Sequence, residues 1–118
     1  MTSYQVNTAG VRKAEQMIAS HHYDLHTPWS EAAPSAGAEN EHIERHGYDG
    51  YGEWHLAIDM DASKDTKDRY GFPFGDFRRV NRAALIHAKQ RASQNDHAQV
   101  ADVADDLLKK LDETAGND

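Results

Sequence analysis

The apolar stripe Val100, Val103, Ala104, Leu107, Leu108 and Leu111 constrains this chain more than any other feature. Its residues recur at i, i+3, i+4, i+7, i+8 and i+11, the spacing of one face of an α-helix. Such a helix draws its stability from packing that face, not from propensity alone. The preceding stretch supplies a partner. Asp76 is placed to cap a third helix running to about Ala92, with Val80, Ala83, Ala84, Ala88 and Arg91 along one side and Leu85 and Ile86 widening it. Asp96, with Gln99 three residues later, forms a capping-box pattern for the fourth helix. Only a short polar link separates the two, so they are expected to form an antiparallel helical hairpin.

Two weaker helices precede this pair. Asn7 or Thr8 is placed to cap a first helix carrying Val11, Ala14, Ile18 and Leu25, ending around 20–23. Residues 27–37 read as a loop, with Thr27 pushed toward extended geometry by Pro28 and with Trp29 pinning the loop to the core. Ser35 is a fair cap for a second helix ending at His46, with Gly47 as its stop. Between the helical pairs, residues 53–60 alternate. Trp54, Leu56, Ile58 and Met60 fall on one side, with Glu53, His55 and Asp59 on the other, which favours a strand over a helix. Residues 61–69 read as a charged surface loop, and Tyr70, Phe72 and Phe74 alternate as a short strand or extended arm.

The expected fold is therefore mainly α. It has about four helices, a C-terminal antiparallel helical hairpin, and an aromatic turn or short two-stranded element in the middle. A chain of 118 residues suits one domain, placed at 1–113 with a frayed tail at 114–118. With only 38% hydrophobic residues the core must be small or shared with a partner subunit. The absence of cysteine excludes disulfides, thiolate metal sites and cysteine nucleophiles, and suits a cytoplasmic protein. No apolar run approaches membrane-spanning length, and the first residues lack the pattern of a secretory signal.

All three phenylalanines, with a tyrosine, a proline and several basic residues, crowd into positions 67–82. The residues Lys67, Arg69, Tyr70, Phe72, Gly75, Asp76, Phe77, Val80 and Arg82, with Trp54 and Leu56 before them and His55 offset by one, carry a resemblance. This segment and the Ala-rich and Leu-rich helices after it, roughly half of the chain, resemble small uncharacterised bacterial proteins, notably of actinomycetes. They share Lys-x-Arg-Tyr-x-Phe-x-x-Gly-Asp-Phe-x-x-Val. Asn81 stands where that pattern has a histidine, and the spacing after Trp54 is shorter. The resemblance implies a fold signature; it brings no activity, substrate, cofactor or catalytic residue.

His42 and His46 lie four apart on the second helix, which places two imidazoles on one face, as in helical zinc sites. Zinc or nickel would suit them, with a third ligand from His21, His22, His26 or His55. Against this, Arg45 sits beside the pair, and surface histidines on a polar helix need no metal. His21, His22 and His26 cluster where the first helix's dipole favours their charge. Asp59, Asp61, Ser63 and Asp65 have a calcium-loop spacing, but Lys64 replaces the turn glycine and Tyr70 the bidentate glutamate. Arg78, Arg79 and Arg82 make a basic start to the third helix, a candidate nucleic-acid patch. The net charge of −7 opposes it, and pairing with Asp102, Asp105 and Asp106 is the simpler account. No catalytic motif emerges, and Asp76 reads as a cap, not an acid catalyst.

These features favour a non-catalytic accessory or interaction protein with a protein partner or a homodimer seam. A histidine-based transition-metal binder comes second and a nucleic-acid binder third. Phe77 is expected in the core, where its replacement by alanine costs roughly 3–5 kcal/mol.

Overall fold

The computed structural model describes residues 4–116. Among these residues the chain is mainly helical, with five α-helices and a small antiparallel sheet. The order is β1 (Tyr4–Val6), α1 (Thr8–Ala19), β2 (Tyr23–Asp24), α2 (Trp29–Ala32), α3 (Ala36–Gly52), β3 (His55–Asp59), β4 (Tyr70–Pro73), β5 (Val80–Asn81), α4 (Arg82–Gln94) and α5 (Ala98–Gly116). The sheet runs β1-β3-β4, and β2 pairs separately with β5 in parallel. It is larger than the two-stranded element expected, because β1 adds itself to β3 with Tyr4 opposite Asp59 and Val6 opposite Ala57. Three residues between the chain start and a helix are too short a run to show a period.

The core lies where α1, α4 and α5 meet β3. Ala14, Ile18, Leu56, Leu85, Leu107 and Leu111 are buried there, together with Phe74 and Trp54. The α5 stripe behaves as its period demands: Val100, Ala104, Leu107, Leu108 and Leu111 are buried, and Val103 is partly so. Helix α4 lies alongside α5, its first residue Arg82 bonded to Asp112 near the end of α5 and Lys89 to Asp105. Among the described residues no helix is long and apolar enough to cross a membrane.

The turns after α1 and α4 share one construction. His21 (φ 59°) and Asp96 (φ 61°) stand in the left-handed region just past each helix. The amide after each reaches back five residues, His22 to the Met17 carbonyl and His97 to the Ala92 carbonyl, both at 2.8 Å. These are Schellman turns with a non-glycine residue where glycine is usual. Asp96 thus closes the turn after α4, and α5 begins only at Ala98.

Four other expectations change. Asp76 does not cap α4. Its Oδ1 accepts from the Arg78 and Arg79 amides (3.0 and 2.9 Å), closing a tight turn, and the helix starts six residues later. The cap is Asn81, whose Oδ1 accepts from the Ala84 amide at 2.9 Å. Asn7 stands at the N-cap of α1 without capping it; its Nδ2 donates instead to the carbonyls of Gly52 (2.8 Å) and His55 (3.0 Å). Gly47 breaks α3 with φ 75°, as a helix stop should, but the chain re-enters a helix and continues to Gly52. At the C-terminus α5 stays helical to Gly116, through the first residues of the expected frayed tail; residues 117 and 118 lie outside the described part.

The charged loop also hides a buried residue. Arg69 is only 8% exposed, and its Nη1 donates to the carbonyls of Met60 (3.2 Å) and Ala62 (3.0 Å). A guanidinium presents five donors in a planar fork, so it can tie down a loop that has no apolar side chain to bury. Asp59 and Ser63, two of the calcium-spaced positions, are engaged in the loop's own bonds: Asp59 Oδ1 accepts from the Asp61 amide and the Ser63 carbonyl from Thr66 Oγ1.

Candidate functional site

The side of the sheet away from α5 is built differently. Strand β3 begins at His55, which was expected to face solvent but is 4% exposed. The alternation of β3 does turn His55 away from Leu56, but α3 covers that second face. Met60, expected on the apolar side, is 52% exposed. Helix α1 approaches β3 closely at this point because Gly10 has no side chain: a Cβ there would overlap the His55 carbonyl oxygen. With Asn7 also bonded to that carbonyl, the backbone of His55 is firmly placed.

The His55 ring lies against Tyr51 (ring centroids 4.5 Å) and Tyr70 (5.9 Å). Its Nδ1 lies 2.9 Å from the Tyr51 carbonyl oxygen. A carbonyl only accepts, so Nδ1 carries the proton and Nε2 of the neutral ring is left as an acceptor. Burial pushes the pKa of His55 down to about 4, although the bond to Tyr51 works in the opposite sense. Burial likewise pushes the Tyr51 phenol well up, and the nearby Glu39 carboxylate adds to the effect. The phenol stays protonated and donates to Glu39 Oε2 at 3.3 Å, while Lys67 Nζ holds Glu39 Oε1 at 3.1 Å.

His42 and His46 are brought together, with ring centroids 4.6 Å apart. His42 is also stacked face to face on Phe77, at 4.1 Å and 8° between planes, with Nε2 3.4 Å from the Gly50 carbonyl. Burial, with smaller contributions from His46 and Lys13, holds the pKa of His42 below its usual range. Among the described residues no group of three or more His, Cys, Asp or Glu is arranged to hold a metal ion. His21, His22, His26 and His55 are therefore not gathered around this pair.

Phe77 is not the core aromatic; Phe74 is, at 0% exposure, stacked on Trp54 at 5.5 Å. Phe77 occupies the tight turn held by Asp76 with φ 70°, a conformation that favours glycine, and its half-buried ring is directed onto His42, Tyr51 and Trp54. The basic cluster is dispersed. Arg78 and Arg79 lie on this turn and not on a helix, Arg79 faces Asp24 at 4.0 Å, and Arg82 forms a two-pronged pair with Asp112 at 2.8 and 3.1 Å.

Two concavities open beside β4. One is a groove of about 980 Å³ between β4 and the turn joining α4 to α5, lined by Tyr4, Trp29, Phe72, His87, Arg91 and His97 among others. The other is a small cavity of about 120 Å³ lined by Trp29, Glu39, Trp54, His55, Pro73 and Phe77. Trp29 and Pro73 border both. Trp29 therefore lines two concavities in place of the core contact expected of it. Phe72 sits at φ 60° within β4, and its ring meets Tyr4 (5.4 Å) and His97 (5.9 Å) edge to face. Sequence reasoning missed Glu39 and Trp29 as site residues and considered His55 only as a third metal ligand. The density of aromatic residues around 70–77 was the one signal pointing here.

Comparison with known proteins gave no match: no family model, no curated protein and no solved structure is significantly similar to this chain.

Proposed function

We propose that this is a non-catalytic, cytoplasmic interaction protein that holds a segment of a protein partner in the groove between β4 and the α4–α5 turn. The observation that carries the reading is the groove itself, with Tyr4, Trp29 and Phe72 among the residues that line it. Phe72 keeps a strained left-handed backbone there. Such strain persists where surrounding structure over-determines it, and ligand clamps are a recurrent setting. His87, Arg91 and His97 border the groove against a single carboxylate, Asp96, on a chain whose net charge is −7. This local excess of donors suits a segment bearing a carboxylate beside an apolar or aromatic side chain.

Strand β4 is an edge of the sheet, but the partner is not added as a further strand. Pro73 has no N–H to offer and the left-handed Phe72 interrupts the ladder, which is how natural edges resist pairing. Side chains therefore carry the recognition. Selection of a phage-displayed random peptide library against the whole protein tests this. Enriched peptides should combine aromatic and acidic residues, and Arg91→Glu and Phe72→Ala should each abolish their binding. Peptides that bind both variants unchanged would sink the reading. A dimer in light scattering that Arg91→Glu dissociates would make a second copy the occupant instead.

A second reading is favoured by the contact between the His42 and His46 rings. Two adjacent imidazoles can hold zinc or nickel if ligands from a partner or water complete the set. Stoichiometric metal in tag-free protein by elemental mass spectrometry, lost in His42→Ala, would support it; metal-free protein that takes up none on incubation would end it.

A further inference from the structure

We propose that the small cavity beside the groove is a binding site for an alkylammonium group. Trp29, Trp54 and Phe77 present aromatic surface, Glu39 a carboxylate and His55 an imidazole. The π-face of an aromatic ring is negative, and a cation within about 6 Å of the centroid is attracted to it. Trp54 already shows this behaviour, with Lys13 Nζ 5.6 Å from its ring centroid.

The polar groups point to the same ligand. With Nδ1–H given to the Tyr51 carbonyl, the remaining nitrogen of His55 is an acceptor with no hydrogen-bond partner among the described residues. Yet among the described residues no fully buried side-chain nitrogen or oxygen is left without a partner, so Nε2 is not fully enclosed. Glu39 receives one bond from Tyr51 and one from Lys67, but a carboxylate offers about four lone-pair sites. A cavity lined by aromatic rings, a neutral imidazole and a carboxylate favours a cation over an anion. Its size agrees. A cavity of about 150 Å³ holds benzene, so one near this volume admits a group of roughly five heavy atoms, such as a trimethylammonium head.

Lys67 is the competing charge. It rests on Glu39 at 3.1 Å with its side chain about one-third exposed, so it can move into solvent when a ligand cation takes the carboxylate. The inference does not depend on the occupant of the groove, because the groove's donors, His87, Arg91 and His97, do not line this cavity.

Both tryptophans of the chain line the cavity, so intrinsic fluorescence reports its occupancy directly. The experiment titrates the whole protein with choline chloride at constant ionic strength, and separately with 3,3-dimethyl-1-butanol, the neutral isostere. Choline should give a saturable change and bind at least about tenfold more tightly than the isostere, the difference a desolvated cation–π contact supplies. Glu39→Gln, checked for native circular dichroism, should weaken choline by about tenfold, and Lys67→Ala should tighten it about twofold to threefold by removing the competing cation. Arg91→Glu should leave choline binding unchanged even where it destroys peptide binding in the groove. Equal affinity for the two probes, a response to choline that never saturates, or a Glu39→Gln protein that binds choline as before would each overturn the proposal.

Discussion

The two sides of the β1-β3-β4 sheet are assembled on different principles. On the α1, α4 and α5 side the helices bury small or aliphatic residues, Ala84, Ala88, Ala92, Ala104, Leu85, Leu107 and Leu111, against Phe74 and Trp54. The charged residues of α4 and α5 stay outside in exposed pairs, such as Arg82 with Asp112. On the α2 and α3 side the chain buries His55 and Tyr51, keeps Glu39 at a cavity wall, and holds Phe77 in left-handed backbone. The first side is stabilised by area removed from water, which is indifferent to detail within limits. The second depends on particular hydrogen bonds and on local strain. It gives up stability for shape, and the small cavity opens there, while the larger groove runs between β4 and the end of α4.

Deletions in the core should give the largest effects. Phe74→Ala is expected to cost about 3–5 kcal/mol and Leu107→Ala about 2–5 kcal/mol, read from urea denaturation, because both side chains are fully enclosed. A loss below about 1 kcal/mol at either position would mean that the helical side is not the stabilising half.

Acid should damage the second side first. His55 titrates near 6.5 when unfolded and at about 4 when folded. Between these values the unfolded chain binds more protons, so stability falls as pH drops from 6.5 toward 4 and the loss is complete below the folded value. The shift corresponds to about 3 kcal/mol. His42, also depressed, adds in the same direction. The carboxylates with lowered pKa values, Asp24 and Asp112, lose their contribution only at lower pH. Stability measured in urea at pH 7 and pH 4 checks this, and His55→Asn, which keeps a donor for the Tyr51 carbonyl, should flatten the slope. An equally steep slope in that variant would assign the acid sensitivity elsewhere.

Phe77→Ala should cost about 1–2 kcal/mol, well short of the core value, since the ring is half-buried and its chief contribution is the stack on His42. The same change exposes the imidazole and should raise the His42 pKa toward 6.5, followed by the ring proton shifts in NMR. The smallest effect has the opposite sign. Asp96→Gly should stabilise by up to about 1 kcal/mol, because only glycine enters the left-handed region without cost. A destabilised Asp96→Gly protein would show that the aspartate side chain, and not the backbone, holds the turn.

The helices α1 and α5, most of α4, and a strand within 53–60 were legible from local pattern alone. Each depends on a period that a short window contains. The start of α4 was not legible, because Asp76 and Asn81 are both competent caps. The choice between them is made by the β5 pairing with β2 and by Asn81 Nδ2 donating to the Thr27 carbonyl, a contact spanning 54 positions. The site was less legible still. The aromatic density at 70–77 marked its location, but Trp29 and Glu39 join it from distant segments with no motif between them.

The amino-acid order by itself settled the helical character of α1, α5 and most of α4 and which of their apolar faces must be covered, because amphipathic period is a property of neighbours a few residues apart, whereas α2 fell in a stretch read as a loop. Tertiary structure alone decided that β3 is covered on both faces, that His55 is neutral with one nitrogen left to accept, and that Trp29, Trp54, Phe77 and Glu39 surround one cavity. Burial and protonation are set by what packs against a residue, and those partners lie tens of positions away along the chain.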